Sequence, residues 1–262
     1  MKIKLKITFL GTIGSALSST LTYSSILINN DLLLDCGEGT TQKLILLDKI
    51  DTINTICITH LHNDHFLGIF SLLWYYWIIS QRTRPLKIIG PPQIDYTIRT
   101  ILKLINTPSN ALKFDLDFMI LKDSNKFQLV NVNDYIITAA KVEHIPITFA
   151  YKVEEKLSNK SLCYTGDTRP VENIIKLSSG CTLLICEATF PDSLADFAHK
   201  YYHCTPSDAV KLATQANIRK LALTHISAAF HNENILKKIK EQSEKKFMNE
   251  VIMAKDLMTL NI

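Results

Sequence analysis

Residues 3–10 alternate Lys with Ile, Leu and Phe, the two-residue period of an edge or half-exposed strand. Residues 23–29 and 31–35 read as paired strands around an Asn29-Asn30 turn, and Gly37-Glu38-Gly39 leads into a helix over 41–47. A short apolar run at 56–58 is of strand type, and 66–79 is apolar and long enough for a buried helix. Next come a strand within 85–91 ended by a turn, a helix over 94–105, and several short strands between 112 and 142, the last at 135–142. Residues 149–164 form a hairpin around Leu157-Ser158-Asn159. A helix over 171–178 and a buried strand over 182–186 follow, then a helix from Pro206 to about 216 capped by Thr205. The strand 220–224 precedes a stretch at 236–246 that mixes Lys, Glu and apolar positions as a solvated terminal helix does.

Thr59-His60 and Thr224-His225 each place Thr-His at a strand end, in opposite halves of the chain. That echo fits an α/β fold of two mixed sheets packed face to face with helices outside, so that side chains at strand ends converge on one edge. Length and composition support one large domain over 1–262, because 262 residues at 47% hydrophobic can bury a substantial core and no composition break divides them. Lys and Arg exceed Asp and Glu by 29 to 25, which favours an anionic partner but is far from the basicity of a nucleic-acid coat. The 6 Cys form no CxxC pair and four sit inside apolar runs, so a reduced, cytoplasmic protein is expected. The basic start lacks the apolar core of a signal peptide, and the apolar run at 67–79 is too short to span a bilayer.

The chemistry concentrates between the strand at 56–58 and the helix at 66–79, in Thr59-His60-Leu61-His62-Asn63-Asp64-His65. Three imidazoles and a carboxylate in a strand-to-helix loop form a metal site. Side chains alternate along an extended segment, so His60 and His62 point the same way and can share one cation, while Asp64 and His65 turn toward a second position.

This loop has the His-x-His-x-Asp-His signature, and the chain resembles the metallo-β-lactamase superfamily, more narrowly its ribonuclease Z-like branch. The matching segments run almost end to end: Phe9-Leu10-Gly11-Thr12, Leu34-Asp35-Cys36-Gly37-Glu38-Gly39-Thr40, Gly166-Asp167-Thr168-Arg169-Pro170, Glu187-Ala188-Thr189-Phe190 and Leu223-Thr224-His225-Ile226-Ser227. The resemblance implies an αββα sandwich. It also implies two divalent cations, one held by His60, His62, His144 and Asp167, the other by Asp64, His65 and His225, with Asp167 bridging. Nitrogen and oxygen donors without thiolate suit zinc, with manganese or iron tolerated. Two such cations would depress the pKa of a shared water and stabilise charge on an attacked phosphorus or carbonyl, so the reaction is a hydrolysis. Catalytic roles fall to Asp64, Glu187 and His203, the last suited to protonate a leaving oxygen over the scissile phosphate. Asp35 is left between two uses, orienting a ligand imidazole or capping a helix. The loop at Gly11 to Ser15 is read as a turn, although in the family it lies beside the metals and could touch a phosphate. His199 and His231 are read as surface residues. The aromatics at 70–77 are read as a subunit contact, implying a homodimer.

The main departure lies between His144 and Asp167. Ribonuclease Z enzymes insert there a long arm that grips the body of tRNA, whereas here 167 − 144 = 23 positions separate the two residues. The first expectation is therefore a dinuclear phosphodiesterase acting on a small or flexible diester, such as a cyclic nucleotide or a short RNA end. Second is tRNA 3′ processing, with the basic C-terminal helix or a partner subunit supplying the grip. Third is a non-catalytic, metal-structured nucleic-acid-binding module, and hydrolysis of another ester is a further possibility.

Overall fold

The strands of the first half are short apolar runs separated by Gly and Asn turns. The computed structural model, which describes residues 5–16 and 18–262, assigns them as β1 (Lys6–Gly11), β2 (Ile13–Gly14), β3 (Ser25–Ile28), β4 (Leu32–Leu34), β5 (Thr55–Cys57), β6 (Leu86–Gly90) and β7 (Leu116–Ile120). Four helices interleave with them: α1 (Thr40–Leu46), α2 (Asn63–Phe66), α3 (Gly68–Tyr75) and α4 (Ile94–Leu104). The second half supplies β8 (Gln128–Val132), β9 (Tyr135–Val142), β10 (Thr148–Glu155), β11 (Ser161–Tyr164), β12 (Leu183–Glu187), β13 (Lys220–Thr224), β14 (Ile226–Ser227), β15 (Glu250–Met253) and β16 (Thr259–Asn261). Its helices are α5 (Glu172–Ser178), α6 (Ala195–Lys200), α7 (Pro206–Gln215) and α8 (Glu233–Lys246).

Two seven-stranded mixed sheets result, in the orders β16-β1-β3-β4-β5-β6-β7 and β15-β13-β12-β11-β10-β9-β8. Their inner faces meet in a core where Phe9, Ile26, Leu34 and Cys57 oppose Phe149, Tyr151, Tyr164 and Ile185. Each outer face is covered by helices, so β4, β5 and β12 are buried along their length, and apart from Thr55 and Glu187 at their ends they read as apolar runs rather than alternating ones. This is the expected αββα arrangement. No helix among the described residues is long and apolar enough to cross a membrane.

Register brings the site together. Parallel pairing of β4 with β5 sets Leu34 beside Cys57, so Asp35 and Thr59 emerge at the same edge. In the other sheet Tyr164 pairs with Ile185 and Glu187 with Thr224, which brings Asp167, Glu187 and His225 out at one end. The two-stranded β2–β14 ladder then lays the Gly14-Ser15 loop against His225.

Four expectations need correction. β1 is an inner strand because β16 pairs along its other side, and Ile7 to Gly11 are buried; positions 3 and 4 lie outside the described residues. The helix expected over 66–79 breaks at Leu67 and its last turn, Tyr76–Ser80, widens to a π-helix. Part of its aromatic run is core: Tyr76 is fully buried and its hydroxyl donates to the Ile50 carbonyl at 2.6 Å, while Trp74 donates to Thr107 at 3.1 Å. Finally, α8 is not terminal, since β15 and β16 follow it and complete one edge of each sheet. The Thr205 cap is as expected, a full capping box with Asp208.

Candidate metal and catalytic centre

All nine residues singled out in the sequence meet at the strand-end edge. His60, His62, His144 and Asp167 form one group whose polar atoms could hold a cation, and Asp64, His65, Asp167 and His225 form a second. In the first, His62 Nδ1 lies 3.1 Å from His60 Nε2 and 3.2 Å from His144 Nε2. In the second, the Nε2 atoms of His65 and His225 are 3.1 Å apart. Ligand nitrogens about 2.05 Å from a tetrahedral zinc sit roughly 3.3 Å from one another, so these spacings fit donors around a shared cation. Asp167 faces both groups, with Oδ1 at 3.2 Å from His65 and 3.3 Å from His225, and Oδ2 at 3.9 Å from His60 and His144.

The outer nitrogens of the rings settle which atoms are free to bind. Thr59 spends its single hydroxyl hydrogen on Asp35 at 3.0 Å, so its oxygen accepts from His60 Nδ1 at 2.9 Å and leaves His60 Nε2 bare. Thr189 repeats the device: its hydroxyl donates to Glu187 at 2.6 Å and accepts from His225 Nδ1 at 2.8 Å. The Tyr202 carbonyl accepts from His144 Nδ1 at 3.1 Å, and Asp35 accepts from His65 Nδ1 at 2.7 Å. Orienting partners of this kind fix the tautomer and aim the other nitrogen inward.

Charge tells the same story. Burial lowers the pKa of His60, His62 and His144, which keeps them neutral with lone pairs converging. Around His65, by contrast, burial is outweighed by Asp167, Asp35 and Asp64, and its pKa rises well above the usual histidine value. Asp64 and Asp167 are held below the normal carboxylate range, burial being overcome mainly by His65 for the first and by His225 and His65 for the second. Converging bare nitrogens on one side and an excess of buried carboxylate on the other both call for cations. Asp167 Oδ1 adds a direct sign: it is buried and has no hydrogen-bond partner, a state that costs about 1–3 kcal/mol or more unless something else binds it. The residues therefore fit a pair of divalent metals.

Asp35 proves to be the orienting residue, not a helix cap. It is wholly buried and accepts four hydrogen bonds, from the Thr59 amide at 2.7 Å, the Thr59 hydroxyl at 3.0 Å, His65 at 2.7 Å and the Tyr164 hydroxyl at 2.9 Å. Polar groups this deeply buried are costly unless hydrogen-bonded, and this network satisfies both carboxylate oxygens. Its φ of 57° aims the side chain inward, and Asp tolerates that left-handed region better than most residues. The Gly11 to Ser15 loop is more than a turn. Ser15 donates its amide to Asp64 at 2.9 Å, and a Cβ on Gly14 would lie 2.3 Å from the His225 ring, so only Gly admits that imidazole. Thr59, Thr189, Tyr164 and the Tyr202 carbonyl were not foreseen; the Thr in Thr59-His60 and in Glu187-Ala188-Thr189 was the available signal.

Glu187 and His203, the two residues expected to act in catalysis, form a hydrogen-bonded pair beside the two groups. Glu187 is fully buried, accepts from the Thr168 amide at 2.6 Å, and holds His203 Nδ1 at 3.0 and 3.1 Å. Burial alone would lower the His203 pKa, but the Glu187 carboxylate and its hydrogen bond push it up to about 9. The ring meets Phe190 edge-on at 5.7 Å and its Nδ1 lies 3.9 Å from Asp167. The imidazole thus stands beside both metal groups, with Glu187 favouring its protonated form. His199 is half-buried and bonded to Asp208 at 2.8 Å, outside the centre.

Residues 30–226 match the family model described as "Beta-lactamase superfamily domain". The sequence is 31% identical to the Ribonuclease Z of Methanococcus aeolicus, covering 98% of each chain, and 30% identical to that of Methanosarcina acetivorans, again covering 98% of each. The first alignment runs over 320 positions, 320 − 262 = 58 more than this chain has residues, so that relative carries segments without a counterpart here. Among solved structures, the short form of human tRNase Z superposes with a TM-score of 0.80 at 28% identity, covering 97% of this chain and 98% of that one. With two groups that could hold a cation set in the family's fold, the protein is a metal-dependent hydrolase, and it belongs to the metallo-β-lactamase superfamily, in its ribonuclease Z branch.

Proposed function

We propose that this protein is a ribonuclease Z-type endoribonuclease that cuts precursor tRNA at the 3′ end of the acceptor stem. The sequence by itself ranks a small diester first. The near end-to-end likeness to proteins called Ribonuclease Z favours the tRNA instead. The observation that carries the reading is the Glu187–His203 pair set 3.9 Å from the carboxylate shared by both metal groups, where a leaving oxygen needs its proton. In this reading His60, His62, His144 and Asp167 hold one cation and Asp64, His65 and His225 the other, with Asp167 between them. Zinc suits the donor set, and manganese or iron could replace it. When bound, the two cations supply Lewis acidity and an activated water. Asp64 acts both as ligand and as catalytic carboxylate, kept in place by the Ser15 amide. Glu187 positions His203 so that the imidazole delivers its proton to the departing strand.

The hairpin of β10 and β11 is what favours the small-diester reading as a second possibility, because five residues, 156–160, join the strands where an arm would stand. Side-by-side kinetics on a precursor tRNA and a cyclic mononucleotide at physiological salt decide between them. We expect kcat/KM to favour the tRNA by ~10-fold or more, since contacts remote from the scissile bond raise efficiency on the large substrate alone. Comparable or better cleavage of the cyclic nucleotide would restore the small-diester reading. The proposal also carries a cytoplasmic homodimer, supported by Ile78 and Ile79, which remain 52% and 65% exposed at the end of the aromatic helix. A one-chain mass in light scattering would remove the dimer.

A further inference from the structure

Helix α8 carries five lysines, and three of them are paired: Lys237 with Glu241, Lys240 with Glu244 and Lys246 with Asp192. Among the described residues, Lys238 and Lys245 have no carboxylate within ion-pair reach. Seven positions apart, they share one face of the helix, and both line a cleft of about 640 Å³ between α8 and the segment after β12. Pro191, Phe230 and Ile235 give the cleft an apolar wall, and Lys246 stands at its rim. Its one carboxylate, Asp192, is already engaged by Lys246 and by the Ser207 amide at 2.9 Å. The cleft also adjoins the centre. The Phe230 ring lies 6.2 Å from Phe190, which in turn lies 5.7 Å from His203.

We propose that this cleft is a subsite for single-stranded RNA, holding a nucleotide that flanks the scissile phosphate with its base against Phe230 and its phosphate at Lys238 and Lys245. Aromatic faces that accept any base, beside cations that follow the backbone, are what binding of single strands requires. An acidic peptide would satisfy the lysines alone. The run of rings from His203 through Phe190 to Phe230 favours the strand being cut. A chain without the long arm also needs its grip close to the centre. The inference rests on the phosphodiester-cleaving reading of that centre, and it is tested by binding.

The probe is a fluorescein-labelled phosphorothioate oligouridylate, titrated against the unaltered protein across a range of salt. Lys238→Ala/Lys245→Ala should weaken binding ~10-fold or more and make the log–log salt dependence shallower by roughly 1.4, the value for two phosphate contacts on a single strand. Lys237→Ala/Lys240→Ala removes the same charge from residues that line a different cleft, and should stay within about twofold of the parent. All four lysines are exposed, so both variants keep the fold. Equal weakening in the two variants, no weakening in the first, or no binding by the parent would each overturn the subsite. Turnover of bis(p-nitrophenyl) phosphate by the parent reads the catalytic proposal separately. Hydrolysis without oligonucleotide binding sinks the subsite alone, while binding lost only in Lys238→Ala/Lys245→Ala without hydrolysis upholds the subsite and sinks the catalytic reading.

Discussion

Asp167→Ala is expected to strip the protein of both cations and to lower phosphodiester turnover by ~10³-fold or more, the effect of losing several kcal/mol of charge stabilisation. The geometry sets one carboxylate between the two groups. Its Oδ1 is 3.2 Å from His65 and 3.3 Å from His225, and its Oδ2 is 3.9 Å from His60 and His144. Without it the first group keeps three neutral imidazoles and no charge, and the second keeps only Asp64 against two rings. The fold should survive, because Oδ1 makes no hydrogen bond whose partner would be orphaned. Elemental analysis should find about two metals per chain in the unaltered protein and close to none in the variant, with unchanged circular dichroism. A single tightly held metal in the unaltered protein would sink the dinuclear assignment.

The fold was legible to the extent that it is local. Thr59 to His65 announces a strand-to-helix loop by its own composition, and the Thr205-Pro206 helix start is a capping box readable within four residues. β1 was misjudged because alternation of Lys with apolar residues reports what one strand could expose, whereas β16, more than two hundred residues later, decides what it does expose. β15 escaped for a similar reason: a four-residue strand with three apolar positions gains its identity only by parallel pairing with β13. At the centre, the His and Asp positions were visible because few other roles gather such residues at that spacing. Their supports were not. A Thr hydroxyl with one hydrogen to give orients His60 or His225 only once Asp35 or Glu187 lies beside it, and the left-handed backbone that turns Asp35 inward leaves no trace in residue type. The short His144 to Asp167 interval correctly foretold a bare hairpin, and the basic helix at 236–246 was named as one source of grip, but the cleft was not foreseen, since Phe230 joins Lys238 and Lys245 only in the fold.

His203→Ala should retain both cations yet lower turnover of substrates with poor leaving groups by ~10²-fold or more. His203 belongs to neither of the two groups that share Asp167, and its Nδ1 is committed to Glu187 at 3.0 and 3.1 Å, so removing the ring leaves the metal donors in place. What is lost is a proton donor. The ring's other nitrogen is the free one, and 9% exposure for the residue puts it at the mouth of the centre instead of inside the core. A ribose oxygen leaving an RNA strand is a strong base and needs that proton in the transition state; a nitrophenolate does not. The decisive comparison is therefore the ratio of rates on an RNA diester and on bis(p-nitrophenyl) phosphate, measured for the parent and the variant at equal metal content. Loss confined to the RNA diester identifies His203 as the general acid. An equal loss on both substrates would mean that the ring acts on the metals or on the shape of the centre, and would refute the role.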